Sequence, residues 1–197
     1  MTSGTRAQVM TPSVEADPRC VWIPWDSTSP DSVVEKVEQF IPLDTPAGHK
    51  ATAWLQKKAR ADHFTVTELL VAKERLEGFV TCRVSEATLT WSGIESLGVS
   101  KEEGQKRVPA YLLCWCAKHR ESMIDGDELV LNALRLAREV SRYGCAVLAL
   151  DPHDDECAEK VWRQKHGFRD GAVPSPEDVP GPEHAGHRRL WTPLSAD

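Results

Sequence analysis

No apolar run in this chain approaches the roughly 20 residues that a membrane span requires. The opening stretch, Met1 to Asp17, is polar and lacks the apolar core of a signal peptide. Together these absences point to a soluble, cytoplasmic protein with no membrane partner. Positive charge is also scarce: 24 Lys and Arg stand against 30 Asp and Glu, a formal net charge of −6. Non-specific nucleic-acid binding relies on neutralising several phosphates at once, so this balance disfavours a nucleic-acid partner. There is no internal repeat and no ordered cysteine framework. The six cysteines (Cys20, Cys82, Cys114, Cys116, Cys145 and Cys157) match neither a zinc ribbon nor a secreted disulfide pattern, and no metal site is expected. Four of them fall in apolar stretches and read as small, reduced core residues, with a metal at Cys114 and Cys116 a distant alternative.

What is present suits one well-buried core in 197 residues. Residues 1–18 are small, polar and aperiodic and read as a flexible arm, leaving residues 19–197 as a single α/β domain. The alternation predicts a strand over Cys20 to Trp25, a helix from Asp31 with Val33, Val34, Val37 and Phe40 on one face, and a second helix over His49 to Asp62. Thr67 to Ala72 and Leu76 to Val84 read as a hairpin, with a further strand at Thr88 to Ile94. Ser96 to Arg107 is the longest interior loop and the natural substrate lip. Tyr111 to Ala117 is nearly continuous apolar sequence, as in a central strand covered on both faces. From Asp127 to Tyr143, the positions Leu129, Val130, Ala133, Leu134, Ala137 and Val140 trace one helical stripe, and Gly144 stops it. Cys145 to Leu150 is a buried-type strand, followed by a helix carrying Ala158, Val161 and Trp162. A strand opening at Phe168, a Pro-rich excursion over Val173 to Gly186 and a last strand over Arg188 to Pro193 complete a mixed sheet with helices on both faces.

The run YLLCWCAKHRESMIDGDELVLNALRLAREV, with AEKVWRQKHGF further on, resembles the GNAT family of N-acetyltransferases. In that family a central strand enters a loop of the type Arg/Gln-x-x-Gly-x-Gly/Ala and then a helix. Apolar residues follow the last loop glycine at three, four, seven and eight positions. Here Leu129, Val130, Ala133 and Leu134 stand at those distances from Gly126. The loop becomes Glu121, Ser122, Met123, Ile124, Asp125 and Gly126, and the strand tripeptide becomes Cys114, Trp115 and Cys116. The phrase HKATAWLQKKARAD and the C-terminal segment are loosely similar to the acetyltransferase toxins of bacterial toxin–antitoxin pairs.

The resemblance implies a GNAT-like mixed central sheet that binds acetyl-CoA and transfers its acetyl group to a primary amine on a metabolite, a protein or an aminoacyl-tRNA. Cys114, Trp115 and Cys116 would then pair through their backbones with the pantetheine arm. The loop from Glu121 to Gly126, together with Asp127, would carry the pyrophosphate at a helix N-terminus, where free N–H groups and the helix dipole favour an anion. Glu121 replaces the usual Arg or Gln, Ile124 replaces a glycine, and Asp125 and Asp127 add negative charge, each carboxylate costing on the order of 1 kcal/mol at a screened surface. Lys118, His119 and Arg120 stand where they could offset it. Counting back from Gly167 puts Arg163 where the family has a tyrosine acid; a guanidinium keeps its proton but can stabilise thiolate charge. Glu95 and His119 are the candidate bases. His166 reads as a helix-end residue, and Trp115 and Trp162 as core. A toxin-like function would use Lys50, Lys57, Lys58 and Arg60 for RNA. The alternative is a catalytically degenerate binding or regulatory module, and either reading admits a homodimer.

Overall fold

The computed structural model describes residues 20–98, 107–153, 156, 158–172 and 189–194. The N-terminal arm, most of the expected lip and the Pro-rich excursion lie outside them. In chain order the elements are β1 (Val21–Pro24), α1 (Asp31–Glu38), α2 (Pro46–Lys57), β2 (Val66–Val71), β3 (Leu76–Thr88) and α3 (Trp91–Ser96). They continue with β4 (Arg107–Lys118), α4 (Asp127–Ser141), β5 (Val147–Leu150), α5 (Ala158–Lys165), β6 (Arg169–Asp170) and β7 (Leu190–Pro193).

Local chemistry sets several boundaries. Helix α2 starts earlier than its periodicity predicts because Thr45 accepts the Gly48 N–H at 3.0 Å and Pro46 occupies the first turn. The predicted strand over Thr88 to Ile94 is instead the end of β3 and the short helix α3. Thr90 caps that helix by accepting the Gly93 N–H at 3.2 Å, and the cap outweighs the β propensity of the surrounding Thr, Leu and Trp. Helix α5 is of π type: the His166 N–H reaches back five residues to the Val161 carbonyl.

The seven strands run in the order β1-β2-β3-β4-β5-β7-β6. Every neighbouring pair is antiparallel except β4 and β5. Helix α4 is the crossover between these parallel strands and packs on one face through Leu129, Ala133, Leu136 and Ala137, against Val80, Cys82, Tyr111, Leu113 and Leu148. The other face carries two separate apolar clusters. One joins α1 and α2 to Leu69, Phe79 and Ala117, and the other joins α3 to Val108, Ala110, Leu112, Val147 and Trp191.

Helix α4 lies so close to β3 that only a glycine fits beneath Leu129. A Cβ at Gly78 would stand 2.9 Å from Leu129 Cδ2 and 3.0 Å from the Ala117 carbonyl oxygen. Gly78→Val should therefore destabilise the fold by about 1–3 kcal/mol through overpacking, read as a lower denaturant midpoint with an unchanged slope. An unchanged midpoint would contradict the close seating of α4 on β3.

Candidate active site

Strands β4 and β5 stay paired for only four residues, from Ala110↔Val147 to Leu113↔Leu150. Beyond Leu113, Cys114 to Ala117 of β4 have β3 as their one strand neighbour, until Lys118 accepts the Leu43 N–H at 3.2 Å and Pro42 bridges to His119. At that point the β3–β4 register slips: Cys82 faces Leu113 and Thr81 faces Trp115, which leaves Cys114 as the extra residue of a β-bulge. The bulge turns Cys114 and Trp115 toward the same face, and Cys116 returns to the α4 face. A row of backbone groups on Cys114, Trp115 and Cys116 thus borders a gap in the middle of the sheet, where a ligand chain can complete the ladder. A bulge inside a continuous apolar run leaves no mark on periodicity, and the sequence reading missed it.

The gap leads to the loop before α4. Ser122 is buried and its hydroxyl accepts the Ile124 N–H, while the Asp125 carboxylate accepts the Asp127 N–H at 3.1 Å. Among the described residues, the N–H groups of Met123, Asp125 and Gly126 donate to no protein acceptor. A Cβ at Gly126 would meet nothing within 4 Å, so the approach to this corner is open. The residues therefore fit a coenzyme A diphosphate sterically.

The acidic loop is balanced from outside itself. Arg75 on the β2–β3 turn holds Glu121 through its carboxylate and its carbonyl, at 3.3 and 2.7 Å. Lys165 on α5 stands 2.7 Å from Asp127 and 3.6 Å from Asp125, and His166 lies 3.2 Å from Asp127 rather than at a helix-end carbonyl. The Asp127 N–H bond, and after it the charges of Lys165 and Lys118, hold the Asp125 carboxyl below its usual range. Of the basic run expected to meet phosphate, Lys118 donates to the Ile124 carbonyl at 2.9 Å, Arg120 lies 3.8 Å from Glu121, and His119 is buried against Phe40.

The three candidate catalytic groups stand on three different elements: Arg163 on α5, Glu95 on α3 and His119 just after β4. Arg163 donates to Asp170 at 2.6 Å, within the α5–β6 unit. Glu95 is exposed on α3, whose Ile94 packs on Val108 and Leu112, in the half of β4 that β5 still covers. His119 serves the loop: its Nδ1 accepts the Glu121 N–H at 3.1 Å. At the mouth of the gap, a fork unnoticed in the sequence joins Arg189 to Asp151 at 2.8 and 2.7 Å. Burial lifts the Cys114 thiol to about 11, and the charges acting on it are Arg83, Asp151, Arg189 and Asp62. Trp115 stacks on Trp54 and Trp162 packs edge-on to Phe168, both partly buried. Among the described residues, no group of three or more His, Cys, Asp or Glu side chains forms a metal cluster, and no helix is long and apolar enough to cross a membrane.

This architecture recurs in solved structures. A Tyr→Phe mutant of KacT matches with TM-score 0.65 and 15% identity, covering 89% of this chain and 95% of that one. AtaT complexed with acetyl-methionyl-tRNAfMet matches with TM-score 0.65 and 14% identity over 88% and 94%. AtaTR bound with acetyl-CoA gives 0.58 and 14% over 89% and 94%. These are GNAT-fold acetyltransferase toxins, and the chain has their fold. No family model matches the chain, and no curated protein matches it in sequence.

Burial, and secondarily Arg75, keep the pKa of His119 below the ordinary histidine value. The unfolded chain is therefore protonated first. Stability from the neutral ring is complete above about pH 6.5 and is lost as the pH falls, because protonation places a charge where burial and the neighbouring Arg75 oppose it. In His119→Gln, the thermal midpoint should fall less between about pH 7.5 and 5.5 than in the unaltered protein. An equal fall would show that His119 does not carry this dependence.

Proposed function

We propose that the protein is an acetyl-CoA-dependent N-acetyltransferase acting on a primary amine. The observation that carries this reading is the parting of β4 from β5 after Leu113↔Leu150, with a bulge at Cys114 and an open corner at Gly126. Cys114, Trp115 and Cys116 offer backbone donors and acceptors to the pantetheine arm. The loop from Glu121 to Asp127 offers free N–H groups to the diphosphate, with Arg75 and Lys165 balancing its carboxylates. When bound, acetyl-CoA supplies an activated thioester. The chain's part is to orient that thioester, present an amine to it and stabilise the departing sulfur.

The fold neighbours favour the same reading: one is described as bound with acetyl-CoA and another as complexed with acetyl-methionyl-tRNAfMet. An RNA-linked acceptor has less support from this chain. Arg60 donates to the carbonyls of Asp26, Ser27 and Ser29 and lies over the Trp25 ring, so of the basic cluster only Lys50, Lys57 and Lys58 are left to meet phosphate. A second reading, a binding module without turnover, draws on the engagement of Arg163 with Asp170 at the position of the family's acid.

Calorimetric titration with acetyl-CoA, followed by thiol release in the presence of an amine panel, separates the two. Binding with turnover supports the enzyme, binding alone supports the module, and no binding removes both roles for the cofactor. Gly126→Trp should leave the fold intact and weaken acetyl-CoA at least tenfold, or about 1.4 kcal/mol; unchanged affinity would reject the loop assignment. Arg163→Ala should slow transfer without loosening the cofactor if its guanidinium stabilises thiolate charge. An unaltered rate would remove Arg163 from the reaction.

A further inference from the structure

The face opposite α4 is not covered continuously. On that face Arg83, Cys114, Asp151 and Arg189 form a polar row that starts on β3 level with Leu112 and ends beside the gap, just past the ends of β5 and β7. Arg83 on β3 faces Leu112 and lies between Thr81 and Ala87 along its strand. Cys114, the bulged residue, is the next position of β4 on that face. Asp151 follows Leu150, the last residue of β5 paired with β4, and alternation places it on the side of Val147 and Ala149. Arg189 precedes Leu190, the partner of Leu150, and so stands opposite Asp151.

The two arginines differ in what they have left to give. Arg189 is engaged at all three nitrogens: Nε and Nη2 grip Asp151, and Nη1 donates to the Glu86 carbonyl at 2.7 Å. It fixes the carboxylate in place and leaves the outer lone pairs of that group for an incoming donor. Arg83 is exposed and, among the described residues, makes no hydrogen bond or ion pair. By register Arg83 is level with Leu112 and Ala149, so its backbone lies two strand spacings across and two residues along from Asp151, about 12 Å. A fixed carboxylate and an unengaged cation carried at those positions, on either side of the bulge, match a molecule that carries both an ammonium and an anionic group.

Resting on the acetyltransferase reading, we infer that this row is the acceptor site, and that the acceptor is a primary amine bearing a carboxylate or phosphate within about 12 Å of its nitrogen. Asp151 holds the ammonium beside the gap, Arg189 positions Asp151, and Arg83 takes the anion. In the transfer, the nitrogen forms the new bond to the acetyl carbon as the C–S bond breaks. Of the two protons the ammonium gives up, one ends on the thiol of coenzyme A and one leaves to solvent by way of Asp151.

The test measures thiol release from acetyl-CoA with matched probes, glycine against glycinamide and O-phosphoethanolamine against ethanolamine, after calorimetry has established coenzyme A binding. The two pairs distinguish a carboxylate from a phosphate. The anionic member of at least one pair should be favoured about tenfold or more in kcat/KM. Arg83→Ala should abolish that preference through KM, with coenzyme A affinity kept, and Arg83→Lys should restore part of it. Asp151→Asn should lower kcat/KM for every probe. Equal rates on both members of each pair, a preference that survives Arg83→Ala, or no transfer to any probe by a protein that acetylates another amine of the panel would each overturn this inference alone; binding of coenzyme A with no transfer to any amine would overturn the acetyltransferase reading as well. Failure of the unaltered protein to bind coenzyme A would overturn the acetyltransferase reading with it.

Discussion

Everything in the candidate site depends on how short the parallel pairing of β4 and β5 is. A central strand normally spends its N–H and C=O groups on two neighbours, and leaving them unpaired in the interior costs roughly 1–3 kcal/mol per group. Here β4 runs on from Cys114 to Ala117 with one strand neighbour, before residues 41–43 pair with its end. The fold supports such an edge because the lost pairs lie where the gap opens, and solvent or a ligand can replace them there. The bulge at Cys114 strengthens the local twist and turns the strand away from β5. Helix α4 backs the arrangement: Leu129 presses onto Gly78 of β3, the strand paired with the edge that borders the gap, and the same helix sets its N-terminus at the gap's open corner.

Electrostatics then decides what the gap can admit. The loop alone is acidic, and read by itself it repels a diphosphate. In the folded chain each carboxylate has a cation from a different element: Glu121 has Arg75 from the β2–β3 turn, and Asp125 and Asp127 have Lys165 from α5. These contacts also tie the turn and α5 to the corner, so the charges that offset the loop are the ones that hold its shape. Because the pairs are partly exposed, each contributes little stability, and their main effect is on local potential.

The features legible in the sequence were those written locally. The stripe from Leu129 to Val140 fixed α4 and its register against Gly126, and the apolar run at Tyr111 to Ala117 announced the central strand. Helix α3 was hidden because Thr, Leu and Trp near residue 90 are β-formers, while the deciding signal was a single capping hydroxyl on Thr90. The bulge was hidden because consecutive apolar residues carry no period. The charge partners were hidden for a different reason: Arg189 meets Asp151 from 38 residues away and Arg75 meets Glu121 from 46, distances over which no spacing rule applies. His119 and Arg60 show the converse, residues whose chemistry invited a functional role but whose hydrogen bonds hold a turn in place.

Under the proposed acetyltransferase reading, Arg163 in the place of the family's tyrosine would change the demand on the leaving group. A phenol can hand a proton to the departing sulfur, whereas a guanidinium offers charge and N–H bonds but keeps its proton. A thiolate is a far better leaving group than an alkoxide, so it can depart as an anion where positive potential receives it, and water can protonate it afterwards. Arg163 is bound to Asp170, and that pair presents little net charge while it stays closed. A role at the sulfur therefore requires the guanidinium to share its donors between Asp170 and the thiolate. Its planar fork of five N–H groups allows this, and a lysine at the same position, a point charge on a flexible stem, would do it less well.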